Sequence, residues 1–183
     1  MERKCERPRR MIVVENGILK YMPSASIIRI PNEVRVICGP KEEDDAINGR
    51  YGKEHVFYNC FIENKKIIEV ICPDSVEVIG DKAFEHCSSL TKFCFSNTEN
   101  KSLKRIGMSA FLGCVSMQKI TLPNSLEEIN GWAFADIPNL TIQFEGTLEE
   151  WNKIKKYDEW AAKNTLVFTK DNPDEPIVIK GKQ

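Results

Sequence analysis

Several signatures are absent from this chain. No apolar stretch approaches the roughly 20 residues that a membrane-spanning helix requires. There is no Cys-x-x-Cys and no His-x-x-x-His, so a zinc site has little support. No phosphate-binding loop, dinucleotide fingerprint or Gly-x-Ser-x-Gly occurs, and the chain holds only two histidines, His55 and His86. Charge of one sign is also lacking. Lys plus Arg number 26 and Asp plus Glu number 27, a net charge of -1. The whole-chain field therefore gives no push toward nucleic acid or an anionic membrane.

The start, "MERKCERPRR", is basic, but only "MIVV" follows it. A secretory leader needs an apolar core of about 7–15 residues. The expectation is a cytoplasmic protein, or a secreted or surface protein where a leader precedes this sequence. What remains is ordinary for a globular domain: 42% hydrophobic and 29% charged residues over 183 positions. That length suffices for one domain with a core. The seven cysteines are an odd number, which argues for reduced thiols rather than a disulfide framework.

Three segments repeat one pattern: "VIGDKAFEHCSSL" (78–90), "RIGMSAFLGCVSM" (105–117) and "EINGWAFADIPNL" (128–140). Ile79, Ile106 and Ile129 share a slot, as do Ala83-Phe84, Ala110-Phe111 and Ala133-Phe134. Leu90, Met117 and Leu140 share another. The spacing is 27 residues, then 23, the difference lying in the polar loop "NTENKS". A more disguised first copy aligns Ile30-Pro31, Val34 and Ile37 with Cys72-Pro73, Val76 and Ile79. Its Ala-Phe slot reads as Val56-Phe57, and a second insertion would separate Cys60 from Ile67. Cys60, Cys87 and Cys114 lie 27 residues apart, with Ile137 next in order. A slot that takes Cys or Ile is an apolar packing slot.

Repeats of this length with this apolar rhythm indicate a leucine-rich-repeat solenoid, in which stacking joins the apolar faces of successive units. The expected strands are "IIRI", "IEVIC", "TKFCF", "QKITL" and "TIQF". Alternation places Phe93, Phe95, Ile120 and Leu122 inward, and Lys92, Cys94, Lys119 and Thr121 on the open face. "DKAFEHC" and "MSAFLGC" read as short helical turns burying Ala and Phe.

With Val76, Ile79, Gly80, Ala83, Phe84, Cys87 and Leu90 in order, the chain closely resembles the BspA-like (Treponema-type) leucine-rich repeats. The resemblance extends to "VENGILKYM", similar to the N-terminal cap hairpin of such proteins, and to "EGTLEEWNKI", similar to their closing segment. It covers about Met11 to Ile154. Members are often large surface or secreted proteins that bind host proteins or matrix, so it implies a binding role.

The fold expected is an α/β-type leucine-rich-repeat solenoid of about four 23-residue repeats plus insertions. Short parallel strands form one face, between an N-terminal hairpin cap and a C-terminal helical cap. The organisation reads as a basic arm, 1–10, then one domain, 11–169, then a tail, 170–183. Within the domain, 11–27 is the N-cap, 28–144 the repeats with an insertion at 38–55, and 145–169 the C-cap. Thr147 with Glu150 forms a capping-box pattern. Trp151, Ile154, Tyr157 and Trp160 recur at helical spacing and would fold over the last repeat; the two tryptophans are alternatively a partner surface.

No catalytic constellation emerges. His86 occupies a slot that also takes Gly113 and Asp136, so it is a solvated loop residue. Cys87, Cys94 and His86 do not make a metal site, because Cys94 points away from the core side of its strand. Glu127-Glu128 share a slot with Lys104-Arg105 and Glu77-Val78, a pattern read as a solvent face. The reading is therefore a non-enzymatic module without cofactor or metal, taking a protein partner rather than nucleic acid or membrane. Its open strand face would bind through Arg29, Glu69, Ile71, Lys92, Cys94, Lys119, Thr121 and Gln143. The alternative is a small intracellular inhibitor or effector, for example phage- or mobile-element-encoded, against a bacterial defence or nucleic-acid enzyme. It would act through the insertion 38–55 with Glu42, Glu43, Asp44 and Asp45, or through Trp151 and Trp160.

Overall fold

In the computed structural model, which describes residues 13–15, 17–21, 25–37, 61–96 and 102–180, the repeated apolar slots wind the chain into a solenoid. Each turn contributes one strand to each of two sheets. The longer strands are β3 (Ile27–Arg29), β5 (Glu69–Cys72), β7 (Lys92–Phe95), β9 (Lys119–Leu122), β11 (Thr141–Phe144) and β13 (Leu166–Thr169). They form a parallel long-strand sheet, and β14 (Asn172–Val178) joins β13 antiparallel at its end. The two-residue strands β4 (Val36–Ile37), β6 (Val78–Ile79), β8 (Arg105–Ile106), β10 (Glu128–Ile129) and β12 (Lys155–Lys156) form a second parallel sheet. That sheet begins with the antiparallel hairpin of β1 (Val13–Glu15) and β2 (Ile18–Tyr21), turned at Gly17 with φ +73°.

The period-two alternation explains the long strands. Val70, Cys72, Phe93, Ile120, Leu122, Ile142, Phe144 and Val167 point into the core and are buried. The intervening residues face outward. In the short sheet the second residue of each pair, Ile37, Ile79, Ile106 or Ile129, is the core residue.

The expected helical turns are not helices. The residue before each Ala-Phe pair is left-handed: Lys82 at φ +58°, Ser109 at +55° and Trp132 at +56°. A second left-handed position follows at His86, Gly113 and Asp136. Left-handed residues on both sides leave no run long enough for a helix. The backbone instead bonds between turns: Phe84 N–H donates to the Ala110 carbonyl at 2.8 Å, and Phe111 N–H to Ala133 at 2.8 Å. Among the described residues the one helix is α1 (Leu148–Lys153), six residues long and started by the Thr147–Glu150 capping box. The helical component of the C-terminal cap is no larger than this.

The core is built around a column of rings. Phe61, Phe84, Phe111 and Phe134 stack with centroids 4.9, 5.3 and 5.3 Å apart and planes within 7° of parallel. This corrects the register of the first copy. Phe61, not Phe57, takes the ring slot, and Phe61 lies 23 residues before Phe84. Asn64 N–H bonds to the Phe61 carbonyl as Cys87 N–H bonds to Phe84, so Asn64 stands in the slot that had been given to Cys60. No second insertion separates this turn from Ile67. Val56, Phe57 and Cys60 lie outside the described residues.

Residues 145–169, expected as a cap, complete a fifth turn. Lys155–Lys156 pair with Glu128–Ile129, Ala161 bridges to Phe134, and Leu166 pairs with Thr141. Ala161 leaves the ring column short, and Trp151 and Trp160 fill the space, packed on Phe144 at 5.2 Å and Phe134 at 6.3 Å. The segment expected as a tail from residue 170 contains β14, whose pairing covers the last parallel strand. Pro173 and Pro176 lie on this edge strand, where proline leaves few free N–H groups to recruit another strand.

Candidate functional site

The outer face of the long-strand sheet is laid out by register. Across the strands Ile27 neighbours Glu69, Glu69 neighbours Lys92, Lys92 neighbours Lys119, and Lys119 neighbours Thr141. In the adjacent row Arg29 lies beside Ile71, and Ile71 beside Cys94; further along, Thr121 lies beside Gln143. All eight residues expected on this face are on it. Arg29, Lys92 and Lys119 are exposed, and the other five are half-buried.

Charges on this face are unequal. Lys92 Nζ donates to Glu69 Oε1 at 2.6 Å. That hydrogen bond holds the Glu69 carboxyl below its ordinary range and the Lys92 ammonium above its own. Lys119 has no ion-pair partner among the described residues, although it stands next to Lys92. The fold does not require like charges side by side on parallel strands. With Arg29, the eight expected residues comprise three cations against one carboxylate. Cys94 donates weakly to the Val70 carbonyl at 3.7 Å, and burial raises its thiol pKa, so it lacks the character of a reactive nucleophile.

The face does not stop at the expected residues. Its far end carries Leu166 and Phe168 of β13, half-buried, and Val178 of β14, 47% exposed and directly opposite Leu166. The sequence reading passed over them because it placed the end of the repeats before β13. Trp151 and Trp160, the alternative partner surface, are 2% and 8% exposed, packed on Phe144 and Phe134. Glu42, Glu43, Asp44, Asp45 and His55 lie outside the described residues.

The slot of Glu77-Val78, Lys104-Arg105 and Glu127-Glu128 is only half a solvent face. Its first members make ion pairs across turns, Arg35 with Glu77 and Lys104 with Glu127, each at 2.7 Å. Its second members sit on the short strands, where Val78 and Arg105 are 1% and 5% exposed. His86 is exposed at a left-handed turn beside Gly113. Among the described residues no group of three His, Cys, Asp or Glu side chains is arranged to hold a metal.

One aromatic surface went unnoticed in the sequence. Trp132 is 46% exposed, with Tyr157 at 39% and Met108 at 40% around the same groove. The slot alone does not announce it: Lys82 there is exposed, but Ser109 is 5% exposed.

The profile described as BspA type leucine rich repeat region (6 copies) matches residues 53–157, more than half of the chain. Among solved structures, the chain is similar to a leucine rich cell surface protein from Faecalibacterium prausnitzii, at 24% identity and TM-score 0.50, over 75% of this chain and 38% of that one. It is similar to a leucine-rich repeat protein from Bacteroides ovatus, at 22% identity and TM-score 0.48, over 80% of this chain and 37% of that one. It is similar also to the T. pallidum Leucine Rich Repeat protein, at 17% identity and TM-score 0.47, over 90% and 86%. The chain thus spans well under half the length of the first two. No curated protein matches it.

Proposed function

The chain belongs to the BspA-type leucine-rich repeat family, and from that premise we propose that it is a non-enzymatic module binding a protein partner across the outer face of its long-strand sheet. Leucine-rich repeats generally serve as protein-interaction modules. The observation that carries this reading is the adjacency of Lys92 and Lys119, with Lys119 uncompensated among the described residues. Half-buried Ile71 and Cys94 lie in the next row. A stacked sheet holds these side chains in place before a partner arrives, so little ordering is lost on association. The surplus of positive charge suits a partner with an acidic patch, and it would raise the association rate in a salt-dependent way.

No helix among the described residues is long and apolar enough to cross a membrane. The cytoplasmic setting and the surface setting both accommodate a binding module, and the Faecalibacterium prausnitzii structure is described as that of a cell surface protein.

The test is affinity capture with the wild-type chain beside a Lys92→Glu/Lys119→Glu bait. The expected result is a partner protein retained by the wild type and lost by the double variant, with capture weakened by added salt. A partner that the variant retains equally would move the binding site off this face.

A further inference from the structure

The side of the solenoid formed by the Ala-Phe turns carries a groove of about 690 Å3, bounded by Met108, Trp132, Tyr157 and Glu159. Gly131 lines it. A Cβ added there would approach nothing closer than 3.5 Å, so the missing side chain leaves space rather than relieving a clash.

Trp132 is fixed in this groove. Its backbone N–H donates to the Glu159 carbonyl at 3.1 Å, and its indole Nε1–H donates to Glu159 Oε2 at 2.8 Å. The ring is held in one orientation with nearly half its surface in water. Trp132 also has φ +56°, a conformation that Gly or Asn adopts most easily. Packing of the fold therefore does not explain a tryptophan here, since Lys82 and Ser109 fill the same slot in the turns before it.

The charges around the groove favour a cation. Glu159 lines it, its Oε2 held by the Trp132 indole, and nearby Asp81 accepts the Met108 N–H at 2.7 Å. Of the two nearby lysines, Lys156 turns inward and donates to the carbonyls of Trp151 and Ile154. Lys155 pairs with Glu128 at 3.6 Å, and its Nζ lies 4.6 Å from the centre of the Tyr157 ring. One ring of the groove thus already carries a cation from the chain itself. Among the described residues none lies over Trp132, although an indole is the stronger cation–π partner.

We propose that this groove is a second docking surface, which takes an arginine side chain from an extended segment of a partner protein. The guanidinium stacks on the Trp132 face and meets at its edge the Glu159 carboxylate, which the indole N–H already orients. Arginine suits this better than lysine because its planar head stacks on a ring and donates to carboxylates at once. The surface lies on the Ala-Phe turn side and acts separately from the long-strand sheet.

The test uses the full chain and a blocked, fluorescein-labelled pentapeptide with one central arginine, beside its lysine and alanine counterparts. Anisotropy should rise saturably with the arginine peptide and not with the alanine peptide. Trp132→Ser, which installs the residue used at position 109, should weaken binding about tenfold. Its thermal melt should stay at or above that of the wild type, and Lys92→Glu/Lys119→Glu should leave binding unchanged. Absence of saturable binding at about millimolar concentration, or binding that survives Trp132→Ser undiminished, would overturn the proposal. A lysine or alanine peptide that binds as tightly as the arginine peptide would overturn it as well.

Discussion

Phe61 lies flat on Phe84, with centroids 4.9 Å apart and planes 6° from parallel. The contact belongs to a column that runs on through Phe111 and Phe134. Each ring also caps a turn whose backbone bonds to the next, so the column and the inter-turn hydrogen bonds enforce one register.

Phe111, like Phe84, has a ring on each side. It stacks on Phe84 and Phe134 at 5.3 Å each and meets Phe93 edge-on at 5.2 Å. Phe111→Ala leaves a cavity in a column that cannot collapse without breaking backbone bonds between turns. The expected loss is about 3–5 kcal/mol in denaturant unfolding. A midpoint within error of the wild type would show that the column does not bear the core's stability.

Ending the chain after Lys170 removes β14 and uncovers β13. Ile177, which packs on the main core, and its pairing with Val167 are lost together. The expected cost is about 2 kcal/mol or more, on the scale of one uncovered aliphatic side chain, with faster exchange of the β13 amides. Unchanged exchange at Val167 and Thr169 would mean that the fifth turn stands without its hairpin.

The buried thiols should be inert in the native state. Cys87 Sγ donates to the Phe61 carbonyl at 3.0 Å and Cys114 Sγ to Phe84 at 3.1 Å. Burial pushes the Cys87 thiol up to about 11 and the Cys114 thiol higher still. Peptide mapping after iodoacetamide treatment at pH 8 should find Cys94 labelled before either, and Cys87 and Cys114 labelled only as fast as the protein unfolds. Prompt labelling of Cys114 would contradict the closed core.

Lys156 carries a pH signature of opposite sign to the surface lysines. Burial pushes its ammonium down from 10.5 to about 8. Between those values the unfolded chain binds more protons than the folded one, so stability rises with pH. Below about 8 the penalty is complete; above 10.5 it is gone. Lys92, Lys153 and Lys155 have raised values, and their contributions are lost only at higher pH. From about pH 8 to 9.5 the wild-type urea midpoint should therefore climb relative to Lys156→Gln. Parallel profiles for the two proteins would refute the assignment.

The repeat was legible because its signals are local. Alternation in "KFCF" and "KITL" specifies which side chains enter the core, and Thr147 with Glu150 specifies where the helix starts. The outer-face residues followed from the same alternation. The exposure of Trp132 was not legible, since its slot elsewhere holds an exposed Lys82 and a buried Ser109. The left-handed residues around each Ala-Phe pair were not, because Lys82, Ser109 and Trp132 share no local preference for that conformation.

Composition and spacing alone determine that this chain stacks similar turns around a phenylalanine core. Tertiary structure decides where the stack begins and ends. Among the described residues Phe61 is the first ring of the column, and only its contact with Phe84 assigns it to that slot. The fifth turn escapes its own pattern, with Ala161 in the ring slot and Thr165 in the leucine slot. Trp151 and Trp160 supply the missing volume from other positions. A core selects for filled space rather than for the residue that fills it, and filled space is a property of side chains brought together by the fold.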